Sequence, residues 1–353
     1  MKTIFDVTYP QLIEWCELND EKKYRAKQIY TWLYKKRVAS FGAMSDVSMS
    51  FHEKLQSSFA FDTLVLKEKH VAFDQTTKYL FECEDGMLIE TVLMHHDYGK
   101  SVCVSSQIGC NMACKFCASG LLKKQRNITS GEMVQQVLHV QRELDSQQER
   151  VSSIVVMGIG EPFDNYTHVL DFLKIVNHDH GLAIGSRKLT ISTCGVIEGI
   201  LKLAQEPLQI NLAISLHAPN DALRTKLMPI NQAHPIDNLM KALKVYYQKT
   251  NRRITYEYLL LNGVNDQLEH ANQLADLIFG QNAYVNLIPY NPVMEQPFDR
   301  TPLKSALKFY DQLKKRGIQT TLRQEHGVDI NAACGQLRSK KIKEGDYESN
   351  RSE

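Results

Sequence analysis

The sequence predicts an α/β protein: a partial barrel of six strand–helix units, preceded by a small helical domain and a β-hairpin extension. Three observations lead there. From Ser101 onward, short apolar runs alternate with helical stretches, the pattern of parallel strands joined by crossover helices. Residues 1–60 read as helical alone. Between the two, residues 61–98 read as strands with Asp85-Gly86 at a turn, a strong hairpin signal.

Taken in order, Pro10 to Leu18 suits the start of a short helix. Tyr24 to Arg37 places Ala26, Ile29, Tyr30, Leu33 and Tyr34 at a helical period. Phe51 to Phe59 predicts a third helix. Between Asp20 and Arg37 there are seven basic residues (Lys22, Lys23, Arg25, Lys27, Lys35, Lys36, Arg37) against two acids, interleaved with Tyr24, Tyr30, Trp32 and Tyr34. Such a mixture can hold phosphates and stack on bases. An amphipathic helix with an aromatic core face and a solvated basic face would read the same way.

Leu64 to Leu66, Tyr79 to Phe81 and Leu88 to Met94 are strand-like. Ser101 to Ser106 predicts a strand that leads into a cysteine-rich loop, and Thr129-Ser130-Gly131-Glu132 resembles a capping box opening a helix to about Leu144. Strands follow at Ser153 to Met157, Lys188 to Ser192, Ile210 to Leu216, Thr255 to Leu261 and Val285 to Pro289. Helices follow them near His168 to Val176, Ile197 to Ala204, Pro235 to Gln248, Gln267 to Phe279 and Leu303 to Lys315, with Gln319 to Arg323 as a last strand. At least six units over residues 99–340 fit a barrel or partial barrel with ligands at the C-terminal strand ends. A doubly wound open sheet is the alternative. Residues 341–353 are short and mixed in charge, and read as a disordered tail.

A chain of 353 residues suffices for one large α/β domain and a small extra one. With 43% hydrophobic and 23% charged residues it is an ordinary globular composition. No apolar run approaches the roughly 18 residues of a membrane span, and the first residues lack a signal-peptide pattern. Together these predict a cytoplasmic protein with no membrane partner. A net charge of +2 does not by itself announce nucleic acid. Eight cysteines in such a compartment argue for metal or redox chemistry rather than a disulfide scaffold.

Cys110-Asn111-Met112-Ala113-Cys114-Lys115-Phe116-Cys117 places three thiolates in one loop after a predicted strand. Closed iron–sulfur clusters usually take four cysteines, so three leave one iron able to bind a substrate group. The plainer reading is a zinc site missing its fourth ligand, although zinc more often shows two spaced pairs. Polar residues also gather at predicted strand ends: Gly160 and Glu161 in Gly158-Ile159-Gly160-Glu161-Pro162, Ser192, then Ser215-Leu216-His217, and Asn291 in Pro289-Tyr290-Asn291-Pro292. Each alone suits a turn or loop cap, but at successive strand ends they would meet on one face of a barrel. Cys16, Cys83 and Cys194 read as small buried hydrophobes.

The Cys-x3-Cys-x2-Cys spacing, with Phe116 before the last cysteine, resembles the radical S-adenosylmethionine (SAM) superfamily. Three further segments narrow the match: Val102-Cys103-Val104-Ser105-Ser106-Gln107, the Gly-Ile-Gly-Glu-Pro motif, and Ala332-Ala333-Cys334-Gly335-Gln336-Leu337. With them the chain resembles the RlmN/Cfr family of radical SAM RNA adenine methyltransferases from about residue 8 to 340. It departs slightly, with Asn331 where the family commonly has Asp and Ile159 where Met is frequent.

The resemblance implies a partial (β/α)6 radical SAM barrel with one [4Fe–4S] cluster on Cys110, Cys114 and Cys117. It implies two SAM molecules per turnover, with SAM held by Gly160, Glu161, Ser192, Ser215, Leu216, His217 and Asn291. Cys334 would take a methyl group from one SAM. A 5′-deoxyadenosyl radical from the other would remove hydrogen from that methyl, and the resulting methylene would add to the adenine ring. Glu90 or Cys103 would remove the ring proton, and Cys103 would release product by a transient disulfide with Cys334. The implied substrates are one adenosine in 23S rRNA at the peptidyl-transferase centre and an adenosine beside the anticodon of some tRNAs. An electron donor such as flavodoxin is implied, and a monomer is expected. Tyr24 to Tyr34 and Arg252 to Tyr258 look like the enzymes that methylate C2; methylation at C8 of the same rRNA adenosine, giving antibiotic resistance, is the alternative. Lys123, Lys124 and Arg126 after the cluster, and Arg338, Lys340 and Lys341 after Cys334, suit a phosphate-rich substrate.

Overall fold

A computed structural model describes residues 1–333 and 335–337. Cys334, the basic residues after Leu337 and the tail at 341–353 lie outside the described residues.

The first sixty residues form α1 (Tyr9–Leu18), α2 (Tyr24–Tyr30) and α3 (Met49–Ser58), with α2 continuing as a wider π-helical turn over Thr31–Lys35. The aromatic side chains of this segment divide sharply. Tyr30, Tyr34 and Trp32 are buried, and only Tyr24 is exposed, at 60%. Three of the four aromatics are therefore core, and the expectation that they stack on bases does not hold. Tyr30 donates its hydroxyl to the Val7 carbonyl at 2.7 Å, a bond that suits a buried tyrosine. The basic residues Lys22, Lys23, Lys27, Lys35 and Lys36 remain on the outside.

Next come β1 (Val65–Val71), β2 (Thr77–Glu82), β3 (Leu88–His96) and β4 (Gly99–Cys103). Asp85-Gly86 makes the β2–β3 turn as its sequence demands: Gly86 has φ +77° and donates to the Cys83 carbonyl at 2.9 Å. After the short pair β5 (Gln107–Ile108) and β6 (Arg126–Asn127) the chain alternates. The elements are α4 (Ser130–Asp145), β7 (Val151–Val156), α5 (Tyr166–Asn177), β8 (Leu189–Thr193), α6 (Ile197–Leu203) and β9 (Asn211–Ser215). They continue with α7 (Asp221–Leu227), α8 (Ile236–Thr250), β10 (Ile254–Leu260), α9 (Leu268–Leu277), β11 (Ala283–Pro289), α10 (Leu303–Lys315) and β12 (Thr320–Leu322). The predicted capping box is present: Glu132 donates its backbone N–H to the Thr129 hydroxyl at 3.1 Å, and Thr129 donates its own to the Glu132 carboxylate at 2.8 Å.

Ten strands form one sheet in the order β1-β2-β3-β4-β7-β8-β9-β10-β11-β12. β1 to β4 pair antiparallel, and β4 through β12 pair parallel. The parallel strands follow one another in chain order without reversal. That winding gives a partial barrel and removes the doubly wound alternative, which needs a point where the order turns back. β3 bonds directly to β4, pairing Val92 with Cys103, so residues 61–98 extend the barrel's own sheet. No described helix is long and apolar enough to cross a membrane.

The helical region is docked by Asp6. Its carboxylate accepts from the Gly131 N–H at 2.5 Å and the Ser130 hydroxyl at 3.2 Å, both in the first turn of α4, and from the Thr3 N–H and hydroxyl at 3.0 and 2.8 Å. A Cβ on Gly131 would lie 2.2 Å from the Thr3 hydroxyl oxygen, so this approach requires glycine. Asp6→Ala leaves these buried donors unpaired and should lower unfolding stability by about 2 kcal/mol or more. Chemical denaturation would read the loss, and a change below about 0.5 kcal/mol would show that water replaces the carboxylate.

Candidate active site

The cysteine loop leaves β5 at the C-terminal end of the barrel strands. Cys110 donates its N–H to the Leu122 carbonyl at 2.9 Å, and Lys115 donates to Leu227 at 2.9 Å. Cys110, Cys114 and Cys117 are partly buried and line one cavity of about 950 Å³ with Gly160, Glu161, Ser192, Ser215 and His217. Burial, and then the neighbouring thiols, raise the Cys114 thiol well above its usual range. Burial pushes Cys110 up to about 11. Thiolates crowded in this way need a strongly cationic partner. Among the described residues, no three His, Cys, Asp or Glu side chains close on a single-ion position. Three cysteines lining one cavity are a donor set that fits an iron–sulfur cluster with one open iron.

The opposite wall is built from strand ends. Gly160 after β7 has φ +110°, and a Cβ there would meet the Gln107 side chain at 2.6 Å, so the turn is specific to glycine. Glu161 is 3% exposed. Its carboxylate accepts from the Thr193 hydroxyl at 2.7 Å, the Cys194 N–H at 2.8 Å and the Phe163 N–H at 3.1 Å. Burial raises its pKa and these donors oppose the shift. Ser192 and Ser215, at the ends of β8 and β9, hold their hydroxyls 3.4 Å apart. Asn291, after β11, is 3% exposed and lines a neighbouring cavity rather than this one; among the described residues, its buried amide oxygen has no hydrogen-bond partner. An orphaned acceptor costs about 1–3 kcal/mol, which a ligand donor at this position would offset. Leu216 is apart from these residues: its side chain is fully buried in the main apolar core.

His217 sits at φ +57°, with its carbonyl held by the Asn265 amide at 2.8 Å. Its Nδ1 accepts from the Leu259 N–H at 3.0 Å, which puts the neutral ring's proton on Nε2. Phe116 packs edge-on against it, with ring centroids 4.8 Å apart. Burial, with the Arg224 charge second, pushes its pKa down from 6.5 to about 3. The folded chain therefore keeps His217 neutral while the unfolded chain protonates it, so stability falls as pH drops below 6.5. Between pH 7 and 5 this one residue should remove about 2 kcal/mol. His217→Asn should flatten the pH dependence of unfolding by that amount, and parallel curves for the two proteins would contradict the assignment.

A second cavity, of about 710 Å³, adjoins the first and shares Cys117, Ser119, Met157, Gly158, Ile288, Arg323 and Gly335 with it. Cys103 and Asn291 line it, as do Ala333 and Gly335, the residues on either side of Cys334. Ala332 and Leu337 pack with Val92, Met94, Cys103 and Ile159 in one apolar cluster. Gly335 accepts from the Ala118 N–H at 2.7 Å, and Leu337 accepts from the Ser119 hydroxyl at 2.9 Å. The segment around Cys334 is thus tied to the residues directly after Cys117. Glu90 lies outside the lining of both cavities. It is 7% exposed, on the same face of β3 as Val92 and Met94. Lys78 approaches its carboxylate at 3.5 Å and donates to the Asn331 carbonyl at 3.4 Å.

Sequence reasoning missed four residues here. Glu257 on β10 and Arg323 line the first cavity; Glu257 accepts from the Asn286 amide at 2.9 Å and is raised in pKa by burial. An acid within the apolar run Ile254–Leu260 was the available signal. Cys194 is buried, as expected of it, yet it also lines that cavity. Arg224 stands behind the wall, fully buried. Two of the basic residues after the cluster are held internally: Arg126 forks Glu132 at 2.7 and 2.8 Å and reaches Asp85, and Lys124 pairs with Asp164 at 2.8 Å. Lys123 is exposed.

Comparison with known proteins agrees with this geometry. Residues 104–275 match the Radical SAM superfamily, and residues 2–60 match the ribosomal RNA large subunit methyltransferase N-terminal domain. A Listeria welshimeri protein named "Probable dual-specificity RNA methyltransferase RlmN" is 54% identical over 97% of this chain and 94% of its own length. Its namesake from Lactococcus lactis is 55% identical over 97% and 95%. The crystal structure of a radical SAM methyltransferase from Sphaerobacter thermophilus superposes with TM-score 0.93 at 40% identity, covering 96% of this chain and all of that one.

Proposed function

This chain belongs to the RlmN family of radical SAM RNA methyltransferases, and from that premise we propose that it methylates C2 of an adenosine in 23S rRNA and of one beside the anticodon in some tRNAs. The observation that carries the reading is the junction of the two cavities. Residues flanking Cys334 line the same space as Cys103, and Gly335 is bonded to Ala118, next to the cysteine loop. A methyl-carrying cysteine, a second thiol and a radical source would have to share such a space.

Cys110, Cys114 and Cys117 would hold a [4Fe–4S] cluster, and Gly160, Glu161, Ser192, Ser215, His217 and Asn291 would hold SAM. When bound, the reduced cluster supplies one electron to cleave SAM, with a low-potential carrier such as flavodoxin as the donor. Everything else falls to the chain. Glu161 is a buried carboxylate suited to a SAM ammonium. The orphaned Asn291 oxygen would take a ligand N–H or O–H. C2 of adenine is not nucleophilic, so Cys334 accepts a methyl from a first SAM by displacement and presents it to the ring. Once a hydrogen has been taken from that methyl group and the methylene has added at C2, the ring gives its C2 proton to Glu90 or Cys103 and returns its unpaired electron to the electron-transfer route; Lys78 stands 3.5 Å from the Glu90 carboxylate. Cys103 attacks the Cys334 sulfur. A Cys103–Cys334 disulfide forms as the sulfur–carbon bond breaks with its electron pair on the ring-bound methylene carbon, which takes a proton and becomes the methyl group, and two electrons from an external dithiol reductant restore both cysteines. The target base must leave its stack to enter.

The test is anaerobic. The cluster-loaded chain is given SAM, a reductant and unmodified ribosomal RNA or tRNA, and the RNA is digested to nucleosides for mass spectrometry. 2-Methyladenosine supports the proposal, and 8-methyladenosine replaces it with C8 chemistry. If Cys334→Ala still acts on a protein partner, the chain is an activating enzyme instead. RNA binding without SAM consumption would make the cluster structural.

A further inference from the structure

We propose that Arg224 is a positioning residue for SAM, holding Glu161 in place through Cys194 and fastening that wall to the cysteine loop. The inference rests on the reading of Glu161 as a SAM ligand given above.

Arg224 lies in α7, fully buried. Among the described residues, its guanidinium donates only to neutral acceptors. These are the carbonyls of Cys194 at 2.6 Å, Ser215 at 3.3 Å, Leu216 at 3.3 Å and His234 at 3.4 Å, and the Asn231 side-chain oxygen at 2.8 Å. The nearby acid Asp221 reaches it through Asn231, whose amide donates to the Asp221 carboxylate at 2.8 Å, and burying a cation without a direct ion pair is costly. A methionine would fill similar space without that cost, so packing alone does not account for an arginine here.

What it holds explains it. Cys194, Ser215 and Leu216 are the residues at the ends of β8 and β9, the rim that carries Ser192, Ser215 and His217. Cys194 is gripped from both sides: its carbonyl accepts from Arg224, and its N–H donates to Glu161 Oε2 at 2.8 Å. Gly195 follows at φ +104°, and a Cβ there would come within 3.2 Å of the guanidinium. The other end of α7 reaches the cysteine loop, where the Leu227 carbonyl accepts from the Lys115 N–H at 2.9 Å, between Cys114 and Cys117. One short helix therefore links the loop that carries the cluster thiols to the wall that carries Glu161. Its fully buried arginine supplies the contacts to that wall.

The test uses the cluster-loaded full chain and reads SAM binding by equilibrium dialysis, iron content, and the change that SAM makes in the electron paramagnetic resonance signal of the reduced cluster. Arg224→Met should weaken SAM binding at least about tenfold at wild-type iron content, and Arg224→Lys should recover part of the loss. On a Glu161→Gln background, Arg224→Met should add less than about twofold, because both act through one contact. A merely structural arginine would lower thermal stability while its effect on SAM binding added in full to that of Glu161→Gln. SAM affinity within about twofold of wild type in Arg224→Met overturns the proposal, as does full additivity. Should Arg224→Met fail to fold, Asn231→Ala removes one acceptor of the guanidinium and touches neither strand end. It should weaken SAM binding by roughly threefold or more, and unchanged affinity there overturns the proposal equally. A wild-type chain that binds no SAM overturns the reading of the site itself, a failure visible before any variant is compared.

Discussion

Replacing Cys103 by alanine is expected to stop the reaction with RNA covalently joined to the chain. Cys103 ends β4, buried at 8% exposure, and faces the cavity lined by both neighbours of Cys334. The other described cysteine in that lining is Cys117, which belongs to the cluster loop. With Glu90 as the proton acceptor, removing Cys103 should leave the earlier steps untouched. On the proposed mechanism SAM should still bind, Cys334 should still be methylated and its methylene should still add to the base. The thioether that results has no positioned thiol to attack its sulfur, and a small external thiol has neither the placement nor the burial of Cys103 in that cavity. Labelled RNA should therefore migrate with the denatured chain and be freed by nuclease. Multiple-turnover methylation should fall by about a thousandfold or more. The double variant Cys103→Ala, Cys334→Ala should form no adduct. Methylated RNA released by Cys103→Ala at the wild-type rate would remove Cys103 from the mechanism and send the search for a second thiol elsewhere.

How far the sequence led can be judged element by element. Strands were legible where apolar residues ran together or alternated between turn signals, and helices where a buried stripe ran for three turns, as in α4, α8 and α10. The strand ends followed, and with them Ser192, Ser215, Asn291 and the Gly160–Glu161 turn. α7 was not foreseen. Its seven residues are too short for periodicity to register. The one local signal was Asn220, whose side chain caps the helix by accepting from the Leu223 N–H at 3.0 Å. The aromatic N-terminal segment was ambiguous for a physical reason. An amphipathic helix presents the same interleaving whether its rings stack on bases or pack inward, and only the placement of α2 against the barrel decides that Tyr30, Trp32 and Tyr34 turn in. Glu257, Arg323 and Arg224 escaped because a charged residue in an apolar strand or loop reads as surface until the partner that holds it is known. Those partners, Asn286 for Glu257 and the Cys194 carbonyl for Arg224, stand 29 and 30 residues away in sequence.

Glu161→Gln is expected to weaken SAM binding by roughly tenfold to a hundredfold, the worth of one charge-assisted hydrogen bond of about 1.5–3 kcal/mol. Two effects combine. The amide has no charge to offer the ligand ammonium. Its Nε2 must also take the place of a carboxylate oxygen that now accepts from the Thr193 hydroxyl or the Cys194 N–H. In either case two buried donors face each other, because the oxygen that accepts from Thr193 also accepts from the Phe163 N–H, and the strand end must shift. Because Cys110, Cys114 and Cys117 make no use of Glu161, iron content should stay at the wild-type level, so the loss separates SAM binding from cluster assembly. Glu161→Asp keeps the charge but withdraws it by one methylene. If charge dominates, Glu161→Asp should bind SAM better than Glu161→Gln. If the fixed network from Thr193 and Cys194 dominates, the two variants should be equally weak. Wild-type affinity in Glu161→Gln would mean that the ammonium is bound elsewhere in the cavity, with the buried, acid-bearing segment around Glu257 the next place to look.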